Sequence, residues 1–132
     1  MNAFYYPLML AAVASGCGTV AEVPPGTPGV VRAAGIPLAD VEVYVYLLSS
    51  ASEPLGLGIT DANGRFELRL LGLRGPLNLE PGDYRVTLAS AGELELNWPA
   101  EFSDPQRTPL RISISRERPV IELDVPLPRV RY

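Results

Sequence analysis

Hydrophobic and polar residues alternate in several short stretches of this chain. Phe66, Leu68 and Leu70 are separated by single charged residues, and the same spacing recurs at Tyr84 and Val86. A period of two is typical of a strand that has one buried and one solvated face. The pattern therefore predicts two strands whose alternate residues face a common core.

Turn sequences precede both predicted strands. Residues 61–64 read D-A-N-G, and Asn63 and Gly64 tolerate the positive φ that tight hairpin turns require. Residues 81–83 read P-G-D, which is a second turn signal. The rest of the chain is expected to be organised around this turn–strand–loop–turn–strand unit at residues 60–86.

The other predicted strands follow from the same signals. A short strand opens at Val30 and Val31, and a turn follows at Gly35. The longest strand has an inward row of Val41, Val43, Val45 and Leu47 and an opposite row of Glu42, Tyr44 and Tyr46. Further strands are predicted in residues 55–60, 93–96, 112–114 and 121–125.

These elements predict an all-β chain. Seven or eight strands, with no segment of helical period, fall within residues 29–127, and an antiparallel β-sandwich of two sheets is the simplest packing. The 14 prolines and 12 glycines agree with many short elements joined by turns. Residues 128–132 are predicted to be a frayed tail.

Charge and residue types exclude several functions. The formal net charge is −4, whereas nucleic-acid-binding domains normally carry a basic face, so no nucleic-acid partner is predicted. The chain has no His, and all 11 of its basic residues are Arg. Ser-His-Asp hydrolysis, His-ligated zinc and lysine-dependent nucleophiles are therefore excluded. No catalytic residue, cofactor or metal site is predicted, and the chain is not expected to be an enzyme.

Residues 61–64 also contain part of an oxygen-ligand loop of the kind that binds calcium. The further carboxylates and the distant bidentate Glu of such a loop are missing. The favoured interpretation is a turn in which Asp61 caps the backbone.

The N-terminal residues have the features of an export signal. Residues 1–16 are mostly apolar and small, and the apolar stretch is too short to span a bilayer. Residues 14–17, A-S-G-C, resemble the lipobox of bacterial lipoproteins. This resemblance implies cleavage after Gly16 and a diacylglyceryl group on Cys17. A plain secretory signal and an unprocessed N-terminus are the alternatives.

Residues 17–28 are then predicted to be the lipidated Cys17 and a tether, because Pro and Gly are too dense there for a helix. The expected location is the cell envelope, as a membrane-anchored lipoprotein of the outer membrane or the cell surface. Secretion is expected if the lipobox is not processed. The expected partners are the membrane, through the lipid, and an envelope protein or polysaccharide.

Three motifs in the sandwich region resemble a known family. Residues 35–43 read G-I-P-L-A-D-V-E-V, residues 60–68 read T-D-A-N-G-R-F-E-L, and residues 79–86 read L-E-P-G-D-Y-R-V. In this order they resemble the carboxypeptidase regulatory-like domains, and residues 98–110 are similar to small bacterial lipoproteins of that kind. The resemblance implies a transthyretin-like fold of seven strands with immunoglobulin-like architecture.

The motif residues specify the fold, so they do not identify a ligand. The candidate binding surface is aromatic: Tyr44 and Tyr46 on one strand face, and Trp98 and Phe102 in irregular sequence. The favoured alternatives are cross-strand packing of the tyrosines and plugging of one sandwich end by the other two residues. The predicted function is a non-catalytic structural or protein–protein interaction module. The alternative is the binding of extracellular polysaccharide or peptide.

Overall fold

The computed structural model describes residues 25–50 and 52–131, and its regular structure is almost entirely β. The strands are β1 (Pro28–Ala33), β2 (Ile36–Pro37), β3 (Val41–Leu47), β4 (Gly56–Ile59), β5 (Arg65–Glu67), β6 (Arg69–Leu70), β7 (Gly82–Ser90), β8 (Glu95–Asn97), β9 (Arg111–Ile114), β10 (Ile121–Val125) and β11 (Arg129–Arg131). A single-turn 3-10 helix at Ala100–Ser103 and a kinked turn at Leu71–Leu73, in which Gly72 has a φ of 80°, accompany them. The predicted all-β class is confirmed, although the seven or eight predicted strands appear as eleven segments within these ranges.

Two sheets pack face to face. The five-stranded sheet has the order β6-β4-β3-β7-β9, and all of its neighbours are antiparallel. The four-stranded sheet is centred on β1. On one side β1 pairs in parallel with β10, and on the other side it pairs antiparallel with β5 and β2. The strands β8 and β11 form a separate antiparallel ribbon. This arrangement is a β-sandwich, as the sequence predicts.

Alternating apolar residues from both sheets build the core. Val41, Val43 and Val45 are fully buried, which confirms most of the inward row predicted for β3. Burial of one such side chain contributes about 1.5–3 kcal/mol. The other buried apolar residues of the core are Val31, Ala33, Phe66, Leu68, Tyr84, Val86, Leu88, Phe102, Ile112, Ile114, Ile121, Leu123 and Val125.

Two residues that the alternation places in the core are exposed. Leu47 and Leu70 are each 43% exposed, because the inward rows of their strands run past the end of the core. Tyr46, on the opposite face of β3, is only 8% exposed. Arg85 lies opposite Tyr46 in register and donates to Pro105 O at 3.2 Å. The irregular segment between β8 and β9 is thereby tied to this outer face.

One continuous segment belongs to both sheets. The strand β6 pairs with β4, whereas β5, just before it, pairs with β1. The segment changes sheets at the fully buried Leu68, whose N–H donates to Thr27 O at 2.9 Å and whose carbonyl accepts from Leu77 N–H at 3.0 Å. At the turn, Asp61 N–H donates to Arg65 O at 2.8 Å. The predicted turn is present, but β4 and β5, the two strands that it joins, pair in different sheets, and of β5 and β6 only β6 pairs with β4.

The folded part begins earlier than predicted. Gly26 and Thr27 are buried and β1 begins at Pro28, so the predicted tether does not extend to residue 28. Thr27 is fixed because its Oγ1 accepts from Leu79 N–H at 2.8 Å and its carbonyl accepts from Leu68 N–H. The predicted signal at residues 1–16, with Gly16 at its cleavage site, and the predicted lipidation site Cys17 lie outside the described residues.

The prediction of a frayed C-terminal tail is wrong. Arg129–Arg131 form β11, which pairs with β8, and Val130 lies opposite Leu96. The two strands are far apart in sequence, and each is only three residues long. A local pattern of alternation therefore does not reveal that they pair.

The strand directions define two ends of the sandwich. The strand β5 is antiparallel to β1, and β6 continues in the direction of β5, so β6 finishes at the end where β1 begins. Because β4 is antiparallel to both β6 and β3, β3 finishes at this end too. The chain enters there from residue 25, and this end is called the N-terminal end. Loops 34–40, 60–64, 91–94 and 126–128 lie at the opposite end, called the distal end.

Two glycines make room for the ring of Phe66. A Cβ at Gly29 would lie 2.2 Å from Phe66 Cζ, and a Cβ at Gly58 would lie 2.5 Å from Phe66 Cδ2. Gly29 is in the four-stranded sheet and Gly58 is in the five-stranded sheet. The ring therefore packs between the backbones of the two sheets.

The substitution Gly58→Ala should lower the free energy of unfolding by about 1–3 kcal/mol, because the added methyl group collides with a buried ring. Gly75→Ala is the matched control, since no atom lies within 4 Å of a Cβ at that position. Urea denaturation followed by Trp98 fluorescence measures both variants. Equal stability of the two variants would show that the ring can move without cost.

Candidate functional site

Trp98 lies at the distal end, directly after β8. Its indole Nε1–H donates to Pro126 O at 2.9 Å, which joins this residue to the chain that follows β10. Ser90 Oγ accepts from Leu96 N–H at 3.1 Å and donates to Leu94 O at 3.0 Å, so β8 is held against the end of β7. Trp98 is therefore bonded to the chain after β10, and the strand that precedes it is bonded to β7.

Two surface hollows share Trp98 and Pro99. The larger has a volume of about 530 Å³ and is also lined by Pro126, Leu127 and Arg129. The smaller has a volume of about 350 Å³ and extends along β7 and β8. An indole that borders two hollows offers a partner two places in which to seat a side chain.

The surface around the larger hollow is apolar. Leu127 is 62% exposed, and Ile36, Leu94 and Val130 at the same end are also exposed. Exposed apolar groups that lie close together mark interaction surfaces more often than scattered ones do. Trp and Arg are the residue types most enriched among the residues that dominate binding energy in protein interfaces. The exposed Leu127 and the neighbouring Trp98 make this end the candidate interaction surface.

The four aromatic residues of the predicted binding surface fall into two groups. Trp98 and Phe102 line the smaller hollow together, and Phe102, which is 8% exposed, also packs into the core. Tyr44 and Tyr46 lie on β3 and line neither hollow. The structure therefore brings together Trp98 and Phe102 and separates them from the two tyrosines.

Tyr44 is held by its own strand. Its hydroxyl donates to Glu42 Oε1 at 3.2 Å. Burial, and after it the charge of Glu42, raises the pKa of Tyr44. Leu57 of β4 and Thr87 of β7 lie on either side of Tyr44 in register. This setting agrees with the cross-strand packing considered for the tyrosines.

Sequence reasoning did not identify Leu127 and Arg129 as residues that line the larger hollow. Leu127 is the last residue of the predicted sandwich, and Arg129 falls in residues 128–132, which the sequence predicts to be a frayed tail. The available signal was Pro128, because the residue before a proline is restricted to an extended conformation, which is compatible with a strand.

A third hollow, of about 550 Å³, lies along β4, β5 and β6. Ile59 is its exposed apolar residue. Its charged residues are Asp61, Glu67, Arg65 and Arg69. Because both signs of charge are present in equal number, charge does not identify an occupant for this hollow.

Asp61 caps the turn between β4 and β5. Its Oδ1 accepts from Asn63 N–H at 2.8 Å and from Arg65 N–H at 3.0 Å. The bond from Arg65 N–H, and after it the bond from Asn63 N–H, lower the pKa of Asp61 below its usual value. The interpretation of residues 61–64 as a capped turn is confirmed.

Within residues 25–50 and 52–131, no group of three or more His, Cys, Asp or Glu side chains is placed to hold a metal ion. The part of the chain that the structure describes also contains no helix with the length and apolar character needed to cross a membrane.

Comparison with known proteins identifies no family for this chain. No protein-family model matches the sequence, and no curated protein matches it significantly. The resemblance to carboxypeptidase regulatory-like domains therefore rests on the three motifs of residues 35–43, 60–68 and 79–86.

The substitution Asp61→Asn should lower the Tm at neutral pH, because an amide oxygen accepts weaker hydrogen bonds than a carboxylate does. The folded pKa of Asp61 lies below the unfolded pKa, so its stabilisation is complete above the unfolded value. That stabilisation is lost as the pH falls through the folded pKa. The Tm difference between wild type and Asp61→Asn should therefore shrink on acidification, which thermal unfolding by circular dichroism measures. A difference that is constant with pH would contradict this role.

Proposed function

We propose that this chain is a non-catalytic lipoprotein of the cell envelope whose β-sandwich binds another protein through the surface around Trp98. In this proposal Cys17 carries the lipid, and the residues between Cys17 and residue 25 connect the lipid to the sandwich. The sandwich is of the carboxypeptidase regulatory-like, transthyretin-like kind.

The observation that most supports partner binding is the pair of hollows that share Trp98. The larger hollow has a volume of about 530 Å³ and is lined by Trp98 and Pro126. Leu127 borders this hollow and is mostly exposed. A partner that covers Leu127 removes apolar surface from water, which favours association.

The position of Trp98 in the fold supports the same proposal. Residue 25 lies at the N-terminal end of the sandwich, whereas Trp98 and Leu127 lie at the distal end. An anchor that precedes residue 25 presents the distal end away from the membrane. The candidate site is then accessible to another component of the envelope.

Residue chemistry supports a non-catalytic role. The full sequence lacks both His and Lys, which are the usual proton-transfer groups near neutral pH. The pKa shifts of Tyr44 and Tyr84 are upward and arise first from burial, and that of Asp61 is downward and arises from turn hydrogen bonds. Each of these shifts has a structural cause.

Binding of extracellular polysaccharide is the second candidate function. Asn97 and Arg129 line the larger hollow beside Trp98. An aromatic ring with adjacent hydrogen-bonding groups is suited to stack a sugar ring and bond its hydroxyls. The aromatic surface is confined to one indole here, so protein binding is the leading proposal.

The substitution Leu127→Glu should reduce the recovery of the protein partner at least about tenfold, which corresponds to a loss of about 1.4 kcal/mol. The measurement is affinity capture of the tagged full chain from envelope extracts, with quantitative mass spectrometry. Ile59→Glu is the matched control, because Ile59 is also an exposed apolar residue but lies outside the distal hollows.

Thermal unfolding of both variants shows that each is folded before their binding is compared. Equal loss of partner in Leu127→Glu and Ile59→Glu would contradict a site at Trp98. Retention on immobilised polysaccharide that depends on Leu127 and Trp98, without a protein partner, would favour the second candidate.

The substitution Cys17→Ala should abolish labelling by radioactive palmitate and move the chain from the membrane fraction to the soluble fraction. The reason is that only the cysteine thiol accepts the diacylglyceryl group. Mass spectrometry of the wild-type protein should give a mature N-terminus at Cys17, after removal of Gly16. Leu127→Glu serves as the control that stays in the membrane fraction. Unchanged fractionation of Cys17→Ala would refute the proposed anchor.

A further inference from the structure

Two rows of core residues end in exposed leucines at the N-terminal end. Leu47 lies two residues after the buried Val45 in β3. Leu70 lies in β6, two residues after the buried Leu68. Each leucine continues the inward side of its row, yet each is 43% exposed. The core therefore stops before these strands do, and apolar side chains remain at its open end.

The adjoining loops add two more leucines to this end. Leu48 directly follows β3 and Leu71 directly follows β6, and both are exposed. Because β3 and β6 are both antiparallel to β4, they finish at the same end of the five-stranded sheet. Leu47, Leu48, Leu70 and Leu71 are called the end leucines.

The chain enters the sandwich at the same end. Gly26 packs so closely against Leu68 that a Cβ on Gly26 would lie 1.9 Å from Leu68 O. The nine residue steps from Cys17 to Gly26 span at most about 30 Å, because one extended residue spans about 3.3–3.6 Å. A lipid on Cys17 therefore places the point of entry, beside the end leucines, within that distance of the bilayer.

We infer that the N-terminal end of the sandwich rests on the phospholipid bilayer, with the end leucines at the boundary between headgroups and acyl chains. The inference rests on the proposed acylation of Cys17, which brings the bilayer within reach. Lipid then covers apolar side chains that the core leaves in water, and this burial stabilises the contact.

The charges of this end favour an apolar contact over an electrostatic one. Arg116, Glu117 and Arg118 alternate in sign in the loop between β9 and β10, and Glu53 and Arg74 lie in two other loops of the same end. Salt screens contacts between surface charges and leaves apolar burial intact. High salt should therefore leave the contact in place.

The test uses the full acylated chain on phosphatidylcholine vesicles that contain a doxyl-labelled lipid as a fluorescence quencher. One cysteine is introduced at the N-terminal end, as Leu71→Cys or Ser52→Cys, or at the distal end, as Ile36→Cys, and is labelled with the dye NBD. The thiol of Cys17 carries the lipid and does not react with the dye. Quenching at the first two positions should be several-fold stronger than at Ile36→Cys, and high salt should not reduce it.

Equal quenching at the two ends of the sandwich would overturn the inference. So would unquenched dye at Leu71→Cys and Ser52→Cys on chains that sediment with the vesicles, because another surface must then cover the end leucines. A chain that does not sediment with the vesicles would refute the proposed anchor, and the inference would fall with it. Ser52→Cys changes only an exposed loop residue, so it reports on the contact even if Leu71→Cys weakens the fold.

Discussion

The sandwich depends on the burial of Leu68, where one continuous segment passes from the four-stranded sheet to the five-stranded sheet. Both backbone groups of Leu68 are hydrogen-bonded, to Thr27 and Leu77, so the crossing leaves no buried polar group of this residue unpaired. Gly26 and Gly56 permit the backbone around Leu68 to pass close to them. A Cβ at Gly26 would lie 1.9 Å from Leu68 O, and a Cβ at Gly56 would lie 2.2 Å from Arg69 O. The crossing thus requires small residues at positions distant in sequence.

The two ends of the sandwich present different side chains: Trp98 at the distal end and exposed leucines at the N-terminal end. At the distal end, the bond from Trp98 to Pro126 joins β8 to the chain after β10 and creates a rigid aromatic surface. At the N-terminal end, the core rows of β3 and β6 run out into exposed leucines. In the proposed lipoprotein, the tether joins the sandwich at the leucine end, and the surface around Trp98 lies at the opposite end.

Alternation in the sequence predicted the strands around Val43, Phe66 and Val86, because a period of two records which side of a strand is buried. It misplaced Leu47 and Leu70, because the period does not record where the opposite sheet ends. The pairing of β8 with β11 escaped prediction for another reason: each strand is three residues long, and its partner is distant. Trp98 was identified as a candidate residue from its type, but its hollows depend on Pro126 and Leu127, which only the folded chain brings beside it.

The parallel pairing of β1 with β10 bears on the route by which the fold is reached. Gly29 is aligned with Ile121, so the first strand of the sandwich gains its long partner only near the end of the chain. Contacts of such high contact order form slowly, after most of the polypeptide is available. If the chain is exported as proposed, this ladder can close only after β10 has crossed the membrane.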